Sequence, residues 1–117
     1  MASSHHRHLR QVLAGPPRGR RGHHWHRVLG SLHHVVGDGS KESEALLRDI
    51  ARFEGRILFD SKGGMPHAMS PEDMMRSLAI QSLAKRDKKK YRALIARVAA
   101  TTKADLLRAI ARESLTA

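Results

Sequence analysis

The first 37 residues contain six arginines and eight of the nine histidines of the chain, but no Asp or Glu. Few of their side chains are apolar, and the Gly15-Pro16-Pro17-Arg18-Gly19 cluster interrupts regular structure. This composition predicts that residues 1–37 build no hydrophobic core. We therefore expect a basic tail or targeting segment, extended or partly helical, that is ordered by a partner.

Residues 38–117 begin with the first acid of the chain and have the composition of a charged helical domain. A domain of this size buries only a modest core, so a partner could complete the fold. The chain has no cysteine, which excludes disulfides and thiolate metal sites. No apolar run approaches the roughly 18 residues of a transmembrane helix.

The first helix of this domain is predicted to start after Asp38-Gly39-Ser40, with Ser40 or Ser43 as its N-cap. Apolar residues then recur at helical spacing at Leu46, Ile50, Phe53 and Ile57. Gly55 could end this helix early, in which case residues 56–60 would form a short strand. The spacing favours the continued helix.

The strongest local signal is Ser70-Pro71-Glu72-Asp73, which combines an N-cap serine, a proline at the first helical position and acids in the first turn. This helix continues into the Lys88-Lys89-Lys90 run, and the sequence leaves open whether it bends near Asp87. A stripe follows at Tyr91, Leu94, Ile95, Val98 and Ala99, and a last helix capped by Thr102 carries Leu106, Leu107, Ile110 and Ala111. The predicted fold is all-α, a small bundle of three to four short helices with an extended basic N-terminal tail.

The net charge of +11 and the pI of about 11.3 indicate attraction to phosphate. Residues 1–37 carry +6, residues 38–84 carry six bases and eight acids, and residues 85–117 carry ten bases and three acids. The charge is therefore concentrated at both ends of the chain, which predicts two separate contact regions.

The densest basic cluster is Lys85–Arg92, where one helix face could follow a phosphate backbone and release counterions. The alternative is a solvated helix surface, where most lysine runs lie. We predict that nucleic acid contacts Arg18, Arg20, Arg21 and Arg27 in the tail and Lys85, Arg86, Lys88, Lys89, Lys90 and Arg92 in the helix.

The histidines of His5-His6-x-His8 and His23-His24-x-His26 have spacings that can bind Zn²⁺, Ni²⁺ or Cu²⁺. A structural metal site, however, needs a rigid frame and carboxylates that orient the imidazoles, and this segment has no acid. We predict no metal and no cofactor, and histidines that hydrogen-bond phosphates. Trp25 could stack on a base, but we favour its packing against the body of the protein.

Residues 92–111 have the outline of a helix-turn-helix. The turn contains no glycine, and only Lys103 and Arg108 could read bases, which favours an ordinary helical hairpin. No nucleophile elbow or phosphate-binding loop is present, so we do not expect an enzyme.

The sequence thus predicts a non-enzymatic structural subunit of a ribonucleoprotein that contacts RNA by charge and shape, with neighbouring proteins of the assembly as further partners. With four aromatic residues in total, the stacking platform of a sheet-type RNA-binding domain is absent. The acid-free, arginine-bearing N-terminus is typical of mitochondrial presequences, which suggests a mitochondrial ribosome. The alternatives are a helix-turn-helix DNA-binding regulator and a helical adaptor in a protein complex.

Overall fold

Two helices form within residues 1–37, the segment for which the sequence predicts an extended or partly helical tail. The computed structural model describes residues 3–15, 22–60 and 68–116. Helix α1 spans Ser4–Ala14, and helix α2 spans Trp25–Gly37. Their buried apolar side chains belong to the same core as those of the rest of the protein: Leu9, Val12, Trp25, Val28, Leu32 and Val35. The expectation that this segment builds no core was therefore wrong.

The apolar residues of these helices are correctly spaced for burial on one face. Leu9 and Val12 are three residues apart, as are Trp25 and Val28, so each pair lies on one helix face. Histidine can be neutral near pH 7, so an imidazole can flank such a stripe without the desolvation cost of a lysine. A short apolar face is sufficient here because neighbouring helices cover it.

Helix α3 spans Lys41–Arg52, and its N-cap is Ser40, one of the two predicted candidates. The helix does not continue to Ile57, because Phe53 already has extended backbone angles. Strand β2 (Phe59–Asp60) instead pairs in parallel with strand β1 (His23–His24). The two strands join the segment after α3 to the segment before α2.

Gly22 allows this pairing. A Cβ atom at position 22 would lie 2.6 Å from the backbone carbonyl carbon of Phe59. Such an approach is shorter than any normal contact between a side chain and a backbone. The absence of a side chain at residue 22 therefore lets the two chain segments meet.

Helix α4 spans Pro71–Thr101 with Ser70 as its N-cap, which confirms the predicted start. Helix α5 spans Asp105–Thr116 and packs against α4. Thr102 ends α4, and its hydroxyl accepts a hydrogen bond from the Ala104 N–H group before α5 begins. The described residues thus form five helices, rather than three to four, in an all-α bundle.

A partly buried polar network holds α1 against the start of α3. The hydroxyl groups of Ser43 and Ser40 donate to the Asp38 carboxylate and hold its pKa at about 2. His6 Nε2 lies 2.7 Å from the Ser43 oxygen, and Nδ1 accepts from the Ser3 N–H group. Because the Ser43 proton is donated to Asp38, Nε2 must donate to Ser43. Ser43 has no solvent exposure, so this group of Ser, His and Asp serves packing.

Candidate nucleic-acid interface

Helix α4 changes direction within the predicted basic cluster. Asp87 has non-helical backbone angles, with φ −162° and ψ 91°. Its carboxylate accepts a hydrogen bond from the Lys90 N–H group at 3.1 Å, which is the geometry of an N-cap. Residues 88–101 therefore behave as a newly capped helical segment, and the cluster lies across this kink.

Three of the predicted contact residues on α4 are exposed cations that form no ion pair within the described part of the chain. Lys85, Lys89 and Arg92 lie on the solvent side of α4, while Lys88 is half-buried. None of these four side chains forms an ion pair with any residue in the described part of the chain. Their charges are available to an anionic partner.

Arg86 has a different environment. Its Nη2 atom donates to the carbonyl oxygens of Val35 and Val36 at 3.2 and 3.3 Å and to that of Asp38 at 2.5 Å. These carbonyls lie at the C-terminal end of α2, where the helix leaves acceptors unpaired and carries partial negative charge. The guanidinium thus stabilises the end of α2, and we leave Arg86 out of the proposed interface.

Lys90 is also engaged within the protein. Its ammonium lies 3.3 Å from the Glu44 carboxylate and 5.3 Å from the centre of the Tyr91 ring. The nearby Tyr91 hydroxyl and Lys90 lower the pKa of Glu44, and Glu44 in turn raises the pKa of Lys90. Part of the Lys90 charge is therefore balanced inside the molecule.

Of the four contact residues predicted in residues 1–37, the structure describes one. Arg27 is exposed on α2. Arg18, Arg20 and Arg21 lie outside the described residues, so their contacts stay a prediction.

A basic groove that the sequence did not indicate lies between α3 and α4. It has a volume of about 590 Å³ and is lined by five cations and a single carboxylate. The charged lining residues are Arg48, Arg52, Arg76, Lys90, Arg97 and Glu54, and the others include Tyr91, Leu94 and Val98. Arg48 and Arg52 are one helical turn apart, so both reach the groove from the same face of α3.

The sequence reveals the two sides of this groove only separately. Arg48 and Arg52 each follow a buried residue of α3, Leu47 or Ala51, which places them at the edge of its apolar face. Arg97 directly precedes Val98, a buried residue of the α4 stripe, and so also lies at the edge of an apolar face. Only the packing of α3 on α4 brings these cations together, and a single sequence does not contain that information.

Half of the eight histidines in residues 1–37 contact another imidazole or a nearby hydroxyl. The rings of His5 and His34 stack with centroids 4.2 Å apart, and His8 Nδ1 lies 2.8 Å from the Ser31 hydroxyl. Burial, followed by the charges of neighbouring His23 and Arg27, lowers the pKa of His8. Within residues 3–15, 22–60 and 68–116, no three His, Cys, Asp or Glu side chains are arranged to hold a metal ion.

Trp25 packs inside the protein, as the sequence favoured. Its side chain is 6% exposed and meets the edge of the Phe59 ring at 5.5 Å. It is therefore not presented to solvent as a platform for a base.

Among the helices that the structure describes, none combines the length and the apolar character needed to cross a membrane. Comparison of the chain with protein-family models, curated proteins and solved structures found no match. Function is therefore inferred from the geometry and charge of the molecule itself.

Proposed function

We propose that this protein is a non-enzymatic RNA-binding subunit of a ribonucleoprotein, and that the exposed side of α4 contacts RNA phosphates. The observation that carries the proposal is the set of exposed, unpaired cations Lys85, Lys89 and Arg92 beside the kink at Asp87. Cations that neutralise phosphates release condensed counterions, which favours binding without sequence readout.

The environment of α5 argues against base-specific recognition of DNA. Arg108 donates to the Asp105 carboxylate at 3.0 Å and to the Thr102 carbonyl at 2.7 Å, so two of its five donors are already used within the protein. Of the two candidate base-reading residues, only Lys103 has no such contact within the described part of the chain. Double-stranded RNA is recognised mostly by shape, phosphates and 2′-hydroxyls, which exposed cations can serve.

The assembly that we propose is a ribonucleoprotein such as a mitochondrial ribosome, and this rests on the composition of residues 1–37. The burial of Leu9 and Val12 supports retention of this segment, because its removal would expose the core that they cover. Microscopy of the full chain carrying a C-terminal tag, together with the size of the recovered protein, tests location and retention.

A salt titration of RNA affinity tests the binding proposal. The full chain is titrated with a hairpin RNA and with a single-stranded RNA, and log K is plotted against log salt concentration. We expect a steep negative slope, reduced by roughly 0.7 to 0.9 for each phosphate that the protein no longer neutralises. The K89A/R92A double variant loses two such contacts, so the magnitude of its slope should fall by about twice this amount.

The matched control is the R7A/K41A double variant, which removes the same formal charge at exposed positions on α1 and α3. It should retain the slope of the unchanged protein. Affinity that does not respond to salt would overturn the proposal. Protein partners recovered after nuclease treatment, without RNA binding, would favour the adaptor instead.

A further inference from the structure

We propose that the groove between α3 and α4 is a binding site for one phosphate group, held by Arg48, Arg52, Arg76 and Arg97. This inference deepens the proposed function, since an RNA phosphate is one source of the ligand. The site itself requires no RNA and can be tested with inorganic phosphate.

The charge of the groove is the first argument. Arg48, Arg52 and Arg97 line it from two different helices, and none of them forms an ion pair within the described part of the chain. Glu54 is the only carboxylate in its lining, and Glu44 balances Lys90 from the side. The remaining positive charge makes an anion the expected occupant.

Arg76 provides the second, independent argument, because it is a buried cation with incomplete internal compensation. The residue is 8% exposed, its Nε atom donates to the Ala51 carbonyl at 3.1 Å, and its closest carboxylate, on Asp73, is 3.9 Å away. A guanidinium has five N–H donors, so donors remain at a group that also lines the groove. Asp73 pairs with this charge only at a distance of 3.9 Å, and a bound anion would add closer, charge-assisted hydrogen bonds.

Arginine chemistry favours phosphate over a simple halide. The planar guanidinium presents parallel donors that match two oxygens of a phosphate, and these charge-assisted hydrogen bonds are stronger than neutral ones. The walls formed by Tyr91, Leu94 and Val98 reduce solvation of the site, which strengthens such interactions. A phosphate has oxygens for more than one arginine, whereas chloride offers no directional pairing.

The phosphate can come from two sources with the same chemistry, an internal phosphodiester of RNA or a terminal phosphate monoester. In both cases the exposed arginines Arg52 and Arg97 receive the group at the mouth of the groove, and Arg76 completes its coordination from the buried side. The experiment distinguishes the two sources.

The direct test is an NMR titration of the full chain with inorganic phosphate, against chloride at matched ionic strength. We expect saturable shifts at Tyr91, Leu94 and the groove arginines with phosphate only. The R97Q and R52Q variants should each weaken phosphate binding about tenfold, as expected for loss of a charge-assisted hydrogen bond. Both positions are exposed, so these variants should fold.

The control is R112Q, which removes an exposed arginine of α5 that does not line the groove, and it should bind phosphate as the unchanged chain does. R97K keeps the positive charge but lacks the planar guanidinium. Its affinity for phosphate should therefore lie between that of R97Q and that of the unchanged chain. Chemical shifts that do not saturate with phosphate, or an equal loss of phosphate affinity in R97Q and R112Q, would overturn the proposed phosphate site.

Two RNAs of one sequence, with and without a 5′-phosphate, then identify the source. If the unchanged chain prefers the phosphorylated RNA and R97Q loses that preference, the ligand is a terminal monoester. If R97Q lowers the affinity for both RNAs equally, the ligand is an internal phosphodiester. Phosphate binding without RNA binding would keep the site and reject the proposed function. RNA binding that R52Q and R97Q leave unchanged would reject the groove as part of the RNA interface.

Discussion

The N-terminal helices α1 and α2 and the second half of α4 are both rich in basic residues, yet they use them differently. In α1 the imidazole of His6 is buried on Ser43, and that of His8 contacts Ser31. Along α4, Lys89 and Arg92 stay in solvent without an internal partner. Imidazoles of the first region thus serve packing, whereas Lys89 and Arg92 of the second stay free beside Arg86 and Lys90, which are engaged within the protein.

The difference follows from the side chains themselves. An imidazole that is neutral near pH 7 can enter a core and exchange hydrogen bonds with serine, whereas a buried lysine must be paired or lose its charge. The histidines of α1 and α2 therefore add less to a phosphate-binding surface than their number suggests, whereas Arg7 and Arg27 stay exposed there. Exposed, unpaired cations are the better guide to where a polyanion binds.

The largest expected effect tests whether the N-terminal segment belongs to the core. Leu9 is fully buried, so L9A should lower the free energy of unfolding by about 2–5 kcal/mol. Leu58 is 50% exposed, so L58A should change the free energy of unfolding by no more than about 0.5 kcal/mol. Chemical denaturation measures both, and equal stability of the two variants would show that α1 is a detachable tail.

A smaller effect should separate two adjacent cations of α4. R86A removes the hydrogen bonds to the end of α2 and should cost about 1–3 kcal/mol of stability. K85A removes an exposed charge and should leave stability within about 0.5 kcal/mol while weakening RNA affinity. Denaturation and RNA titration of both variants make the comparison. Equal destabilisation would remove the distinction between structural and free cations.

The smallest expected effect concerns acid. Because the pKa of His8 is lowered below 6.5 in the folded protein, the unfolded chain binds a proton first, and stability should fall as pH drops below about 6.5. H8Q should flatten the profile between about pH 7 and pH 5. H33Q, at an exposed position of α2, is the matched control, and thermal unfolding across this range is the measurement. A profile that H8Q leaves unchanged would contradict the account of His8.

Local signals predicted the helix starts well, because each is encoded within a few residues. Ser70 and Pro71 specify the start of α4, and Ser40, one of the two expected candidates, caps α3. The end of α3 was missed because the Ile57 N–H group donates to Glu72, a distant residue, instead of continuing the helix. The helical spacing of Phe53 and Ile57 could not reveal that competition.

The candidate site was predictable only in part for the same reason. The exposed positions of Lys85, Lys89 and Arg92 followed from their run in the sequence. The role of Arg86 depends on the end of α2 lying nearby, and the arginine groove depends on the packing of α3 against α4. Both are tertiary facts that local spacing does not contain.

The central claim is that the free cations of α4, rather than the N-terminal helices, carry the main contact with RNA. Footprinting of the full chain with lysine- and arginine-specific reagents, with and without bound RNA, tests it most directly. We predict strong protection of Lys85, Lys89 and Arg92 and unchanged reactivity of Arg7 and Lys41. Protection confined to residues 1–37, with α4 as reactive as in the free protein, would contradict the account.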